Sequence, residues 1–386
     1  MQTKHRFLRR QPRRAAVVAQ VAVCSTVLIG LCALVLDIGQ MHLARTELQR
    51  SADAAALAGA SAYAEDEGLI QSDTLGALAY QRALQFSQSN LTLGAPTFVE
   101  PADVVAGTLN WQNPQAALDT SGANRFNAVQ VLVRRTSDSA NGAVVFSFAK
   151  ILGFNQGDVT AWATAAFDDR FGGYRVTEEC NLVLPFTIYR DIYNQQLLNG
   201  PDQFYYDHSA DQVHDGTDNV VEVHLYPYKL SGEGDGAGNF GVLNIGTGNQ
   251  GSTFLEQQIL DGVSAADLEA EIGTSELTFV GPNGQPIAYN ITGSPGLKVT
   301  MEDSVIARMG DVVGFFLHDA VTLDGQNAIY HIVDMRFGRI MHIDLTGSPK
   351  TKRLVIQPVA YTGPGVVVHD YAPSSRGQVG ALRIVR

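Results

Sequence analysis

The sequence predicts an α+β fold: a long N-terminal transmembrane helix that extends into a helix-plus-sheet unit, followed by a mainly β C-terminal domain. Three observations predict it. A run of 22 residues without a charge, Ala15 to Leu36, lies near the start of the 386-residue chain. A proline-free stretch rich in Ala, Leu, Arg, Glu and Gln continues from it without a break. Further on, alternating or continuous apolar segments are separated by glycine-rich turns, the pattern of strands.

Charge sets the topology of the first element. Residues 1–14 form a basic arm with Lys4, Arg6, Arg9, Arg10, Arg13 and Arg14 and no acid. All 39 acidic residues lie from Asp37 onward, beside 21 of the 27 Lys and Arg, so the body carries a formal −18 while the whole chain carries −12. An acidic body argues against nucleic acid as a partner, because binding needs basic surface against phosphate. A hydrophobic fraction of 45% excludes bulk disorder. The span, residues 15–36, covers about 33 Å as a helix, enough for a hydrocarbon core of about 30 Å. The positive-inside rule then puts the N-terminus in the cytoplasm and Asp37 onward outside, a single pass through the cytoplasmic (inner) membrane. A cleaved signal peptide has a shorter apolar core, about 7–15 residues. Gln20 is the one strongly polar side chain in the span, and it faces another helix or snorkels toward the cytoplasmic side. Cys24 and Cys32 stand about 12 Å apart along a helix, too far to bridge, and Cys180 has no partner outside the span.

Residues 37–90 read as a helical stem. Glu47 and Arg50 are placed to pair at i, i+3. Ser51, Ala55 and Gly59, and likewise Ala52, Ala56 and Ala60, repeat at four-residue spacing. Such a stripe allows close packing against the chain's own sheet or a partner helix; helix propensity alone also accounts for it. Asp53 is placed to pair with a basic partner or with Arg50. A second helix over Asp73 to Ser89 presents Leu75, Leu78, Ala79, Leu84 and Phe86.

The block from Arg13 to Ala64 resembles the N-terminal segment of the Tad (tight adherence, Flp pilus) TadE/TadG-like proteins. The features that carry the resemblance are the basic flank, the single span, Asp37 and Gly39 at its outer end, and the run from Leu48 through Ala60 that contains Asp53, Ala56, Leu57 and Gly59. Members processed by prepilin peptidase carry a Gly before the span and a Glu near its fifth position. Here Arg14 precedes Ala15 and the span has no Glu, so the likeness is to the unprocessed TadG-like kind. The von Willebrand A domain of many TadG-like proteins would need Asp-x-Ser-x-Ser, and Asp119-Thr-Ser121-Gly-Ala123 lacks the second Ser. The resemblance implies a non-enzymatic structural or accessory component of a Tad/Flp-type pilus or secretion system. Its partners would be the lipid bilayer and other pilus-machinery components met through the N-terminal helix, with a second copy of the chain as a further candidate.

Residues 91–170 read as a small β-rich unit that packs on the stem in a pilin-like layout. Strands are expected at Ala128–Val133, Ala143–Phe148 and Val159–Phe167, with a helical turn near Phe148 to Leu152. Phe171 to Arg175 suggests a boundary, and residues 171–386 form the mainly β C-terminal unit. In it, Thr253 and Glu256 fit a capping box opening a short helix. Met301 to Met309 is a second helix, closed by Gly310. From Ile329 to Leu345 the residues Ile329, Val333, Met335, Phe337, Met341, Ile343 and Leu345 share one parity, with Gly338 as the bend.

Candidate chemistry is sparse. Gly236 to Gly241 and Gly246 to Gly251 fit G-x-G-x-x-G, but the second strand ending in an acid is missing, so tight turns account for them and no cofactor is expected. Asp207, Asp211, Asp215 and Asp218 crowd a polar loop with His208 and His214. They are the candidates for a Ca²⁺ site, against the simpler reading of a solvated acidic loop. His318, His331 and His342 fall on predicted strands and read as structural. No nucleophile elbow or Cys/His pair is present. The competing reading is a membrane-tethered, extracytoplasmic ligand- or Ca²⁺-binding protein, or a hydrolase.

Overall fold

A computed structural model describes residues 14–64, 73–122, 126–178, 182–226, 239–246, 251–297, 299–324, 327–346 and 352–385. The basic arm up to Arg13, Cys180 and most of both glycine-rich segments fall outside the described residues. Helix α1 (Arg14–Ala60) runs unbroken for 47 residues, about 70 Å at 1.5 Å per residue. A 3-10 turn, Ser61–Ala64, ends it. From Val17 to Leu36 every residue but the half-buried Ala33 is exposed, whereas Ala44, Leu48, Ala52 and Ala56 are fully buried. Span and stem are therefore one helix with two environments.

Helix α2 (Asp73–Gln88) buries Ala79, Ala83 and Ser87, a row at four-residue spacing. Of the positions the sequence offers for that face, Ala79 is on it. Leu78 and Leu84 are half-buried and Phe86 is exposed, while the Leu75 side chain lies outside the described residues. Small residues take the buried face because the backbones come close: Ser51 Oγ donates to the Ser87 carbonyl at 3.4 Å.

The chain divides into two compact units, residues 1–56, 83–104 and 130–163 in the first and 57–82, 105–129 and 164–386 in the second. The first holds most of α1 and the hairpin β1 (Leu91–Thr92) and β2 (Ala95–Pro96). Strand β3 (Val104–Gly107) begins in it. Most of β4 (Ala128–Arg135), the hairpin β5 (Val144–Val145) with β6 (Gln156–Gly157), and the start of β7 (Val159–Asp168) complete it. The strand expected at Ala143 to Phe148 thus shrinks to two residues, and a 3-10 turn, Ala149–Leu152, fills the hairpin. Arg134 clamps Glu100 and Asp103, each at 2.9 Å.

The second unit is mainly β. Strand β8 (Phe171–Arg175) is buried from Phe171 to Tyr174, so the suggested boundary is a core strand. Then come β9 (Val183–Tyr189), α3 (Arg190–Asn199), β10 (Phe204–Asp207), β11 (Gln212–Asp215), β12 (Val223–Tyr226) and β13 (Phe240–Leu243). Helices α4 (Ser252–Asp261) and α5 (Ala265–Ile272) precede β14 (Glu276–Thr278) and β15 (Tyr289–Pro295). The expected capping box at Thr253 is absent: Gly251 is the N-cap of α4 and gives no side-chain bond. The box belongs to α5, where Ser264 and Asp267 cap each other. The helix read over Met301 to Met309 is α6 (Glu302–Ile306) with a preceding 3-10 turn, and Gly310 follows at φ +86°.

Strands β16 (Val312–Asp324), β17 (Asn327–Asp344), β18 (Arg353–Pro358), β19 (Val366–Val368) and β20 (Ala381–Ile384) complete the order. The main sheet runs β12-β18-β17-β15-β13-β9-β16, and β16 also pairs with β17, so five strands close on themselves. Apolar clusters cover both faces, one with α3, α4 and α6, the other around Tyr174, Tyr330 and Phe337. The single parity expected along β17 does not hold. Ala328, Tyr330 and Ile332 are buried, and then Met335 and Phe337. The ladder skips Val333 and later Met341, and each skipped residue reverses the faces. Gly338 pairs normally with Pro358 and is not the bend. Strands β20, β7, β4 and β3 form a four-stranded sheet in that order.

Candidate functional site

The apolar run of α1 ends at a carboxylate, and that carboxylate is a structural centre of the first unit. Asp37 is only 3% exposed although its neighbours Leu36 and Ile38 are open. Its Oδ1 accepts the Ser147 N–H at 2.8 Å, and its Oδ2 accepts those of Phe148 at 2.9 Å and Ala149 at 2.5 Å. Ala149 opens the 3-10 turn, so the carboxylate satisfies N–H groups that such a start leaves without partners. Burial works to raise the Asp37 pKa. The three N–H groups, with Lys150 beside them, outweigh it and hold the carboxyl below the usual carboxylate range. Gly39 is different in kind: it is exposed, and an added Cβ would meet nothing within 4 Å.

The stem is polar on one side and close-packed on the other. Leu48, Ala52, Ala55 and Ala56 are fully buried, and Leu57 is half-buried. In the second unit Gly59 lies under Val129 and against α2. A Cβ there would stand 3.0 Å from Val129 Cγ1 and 3.1 Å from the Ala79 carbonyl oxygen. Of the two packing readings of the small-residue stripe, the chain's own elements take it up. Asp53 accepts the Gln49 side-chain amide at 2.8 Å, and the same amide reaches the Trp162 carbonyl at 3.1 Å. Its partner is therefore Gln49 and not Arg50. Glu47, expected to pair with Arg50, accepts the Leu93 N–H at 2.7 Å. Leu93 has φ +51°, so the bond holds a left-handed turn.

These observations meet in one segment. Residues 16–62 match the Tad family model, putative Flp pilus-assembly TadE/G-like. No curated protein and no solved structure matches the chain. The Tad match covers the span, Asp37, Gly39 and the stem through Gly59, and α1 is the one helix among the described residues long and apolar enough to cross a membrane.

The acidic loop forms no comparable centre. Asp207 accepts Ser209 and Ala210 within its own turn, and Asp211, at φ +55°, takes the Tyr206 hydroxyl. Asp218 binds Val220 N–H at 2.9 Å and Gln357 at 2.9 Å, and Asp215 ends β11, exposed. Among the described residues no group of three or more His, Cys, Asp or Glu is gathered as a metal site would need. His318 meets Thr187 at 2.8 Å in the core, and His342 stacks on Phe204. His331, unlike the others, has a carboxylate partner, Asp319 at 2.7 Å. Sequence reasoning missed Glu222, a fully buried carboxyl that takes the Gln203 and Phe204 N–H groups. Burial pushes its pKa up to about 7 against those bonds.

Proposed function

We propose that this chain is a membrane-anchored, non-enzymatic structural or accessory component of a Flp pilus-assembly machine. It sits in the cytoplasmic membrane with its N-terminus inside and its acidic body outside. One observation carries the reading: the segment that matches TadE/G-like proteins coincides with the apolar helix and its anchored outer end. In this reading residues 15–36 meet the bilayer and the other pilus components. The small residues of the stem from Leu48 to Gly59 are consumed by the chain's own packing and leave no open stripe for a partner helix.

The test is genetic and biochemical. Cells that build Flp pili should lose them when this protein is removed and regain them with the full chain. A full chain whose residues 15–36 are exchanged for an unrelated apolar helix of equal length should insert but fail to restore pili or co-purify pilus components. Normal piliation without the protein would sink the proposal. Full rescue by the exchanged span would reduce the span to an anchor and move the partner surface elsewhere.

A further inference from the structure

The hairpin held by Asp37 carries an apolar tip that the fold leaves uncovered. Ile151 is 85% exposed, Phe154 64%, Val145 54% and Phe148 39%, with Lys150 exposed among them. Four exposed large apolar side chains within ten residues form a patch, whereas single exposed ones need no account. The turn is no loose loop: Asp37 fixes three consecutive N–H groups, and the Gly153 and Phe154 N–H groups bond back to Lys150 and Ala149. Ordered backbone presenting greasy side chains outward is what a binding surface requires.

The position of the patch identifies its occupant. Asp37 directly follows the last residue of the apolar run. The base of the hairpin touches α1 at Met41, where a Cβ on Gly157 would meet the Met41 side chain at 3.1 Å. The tip touches α1 one turn earlier, at Asp37. From base to tip the hairpin thus descends the helix toward the span. Ala33, another turn down on the same face, is the only half-buried residue between Val17 and Leu36. With a span of about 33 Å across a core of about 30 Å, the Asp37 level coincides with the boundary of headgroups and acyl chains. Interfacial elements bury apolar faces about 5–10 Å into that boundary while cationic side chains reach the phosphates.

We propose that the Val144–Gly157 hairpin is a second membrane contact, with Phe148, Ile151 and Phe154 inserted in the outer interface and Lys150 at the headgroups. It fixes the tilt and rotation of the helix that a lone span leaves open. The proposal rests on the reading of α1 as a membrane span, and the experiment separates the two.

Full-length chain with Cys24, Cys32 and Cys180 replaced by serine carries one new cysteine, Ile151→Cys, Phe154→Cys, Val27→Cys or Leu91→Cys, labelled with an environment-sensitive nitrobenzoxadiazole dye. Each protein is reconstituted into phosphatidylcholine vesicles with or without brominated acyl chains. Leu91 is exposed and lies near the level of Glu47, about 15 Å farther out along the helix. The labels at 27, 151 and 154 should emit blue-shifted and lose about half their intensity or more to the brominated lipid, the label at 91 neither. Quenching at 27 with water-like emission at both 151 and 154 would overturn the hairpin contact and leave the span intact. Water-like emission at 27 as well would overturn both.

Discussion

Replacing Gly59 by leucine puts the packing of the stem to a direct test. In an exposed helix the change gains about 0.8–1 kcal/mol of helix propensity. At this position the first added carbon already stands 3.0 Å from Val129 Cγ1 and 3.1 Å from the Ala79 carbonyl oxygen, inside the ordinary contact range of about 3.5–4.0 Å. Neither neighbour can turn aside, because Val129 is fully buried in β4 and the oxygen belongs to the backbone of α2. Three further carbons must find space beyond that contact. Overpacking costs about 1–3 kcal/mol, and a leucine here belongs at the upper end, so the net is about 1–2 kcal/mol of destabilisation. For a unit of this size that lowers the midpoint of thermal unfolding by roughly 2–8 °C. Circular dichroism of detergent-solubilised full chain, followed on heating, reads the shift. Gly39→Ala is the matched control, since nothing lies within 4 Å of its Cβ, and it should match or exceed the parent by up to about 1 kcal/mol. An unchanged or raised midpoint for Gly59→Leu would refute the argument that the small-residue stripe is used within the chain.

Further predictions concern the charged groups. Asp37→Ala removes the acceptor of three N–H groups, and limited proteolysis should then cut residues 144–157 at least several times faster; equal rates would show that the hairpin holds itself. Glu222 is protonated more readily folded than unfolded, its pKa standing near 7 against 4.5. Its contribution is therefore complete below pH 4.5 and is lost as pH rises to about 7, a fall of roughly 3 kcal/mol at most. Glu222→Gln should flatten that part of the stability–pH curve measured by chemical denaturation, and an unchanged slope would exclude Glu222 as its source. Arg134→Ala leaves Glu100 and Asp103 without their shared cation and should cost about 1–2 kcal/mol in the same assay, with 1 M salt reducing the difference. Thr187→Val removes the hydroxyl that meets the buried His318 Nδ1, and a loss of about 1–3 kcal/mol is expected.

Much of the fold was legible in the sequence where the signal is local. The charge-free run, the proline-free continuation and the alternation at Val129, Val131 and Val133 announce their elements, because helix and strand repeat every few residues. The parity along β17 was not legible. Val333 and Met341 are apolar residues that look like any others, and only the partner strands show that the ladder skips them. The buried row of α2 was legible only at Ala79: apolar periodicity also points to Leu78, Leu84 and Phe86, whereas two backbones in close approach select Ala79, Ala83 and Ser87.

The site divides along the same line. Asp37, Gly39 and the Leu48 to Gly59 run stood out in the sequence as a block. Nothing local distinguishes Asp37, held by N–H groups 110 to 112 residues away, from Gly39, where an added Cβ would meet nothing within 4 Å. The sequence by itself determined the order of a basic arm, an apolar run long enough to cross a bilayer and an acidic body, because that run holds no charge whose burial in hydrocarbon would be costly. Only the tertiary structure decided which carboxylate is a structural anchor and which loop it carries to the end of the span, because a hydrogen-bond partner is fixed by the path of the whole chain.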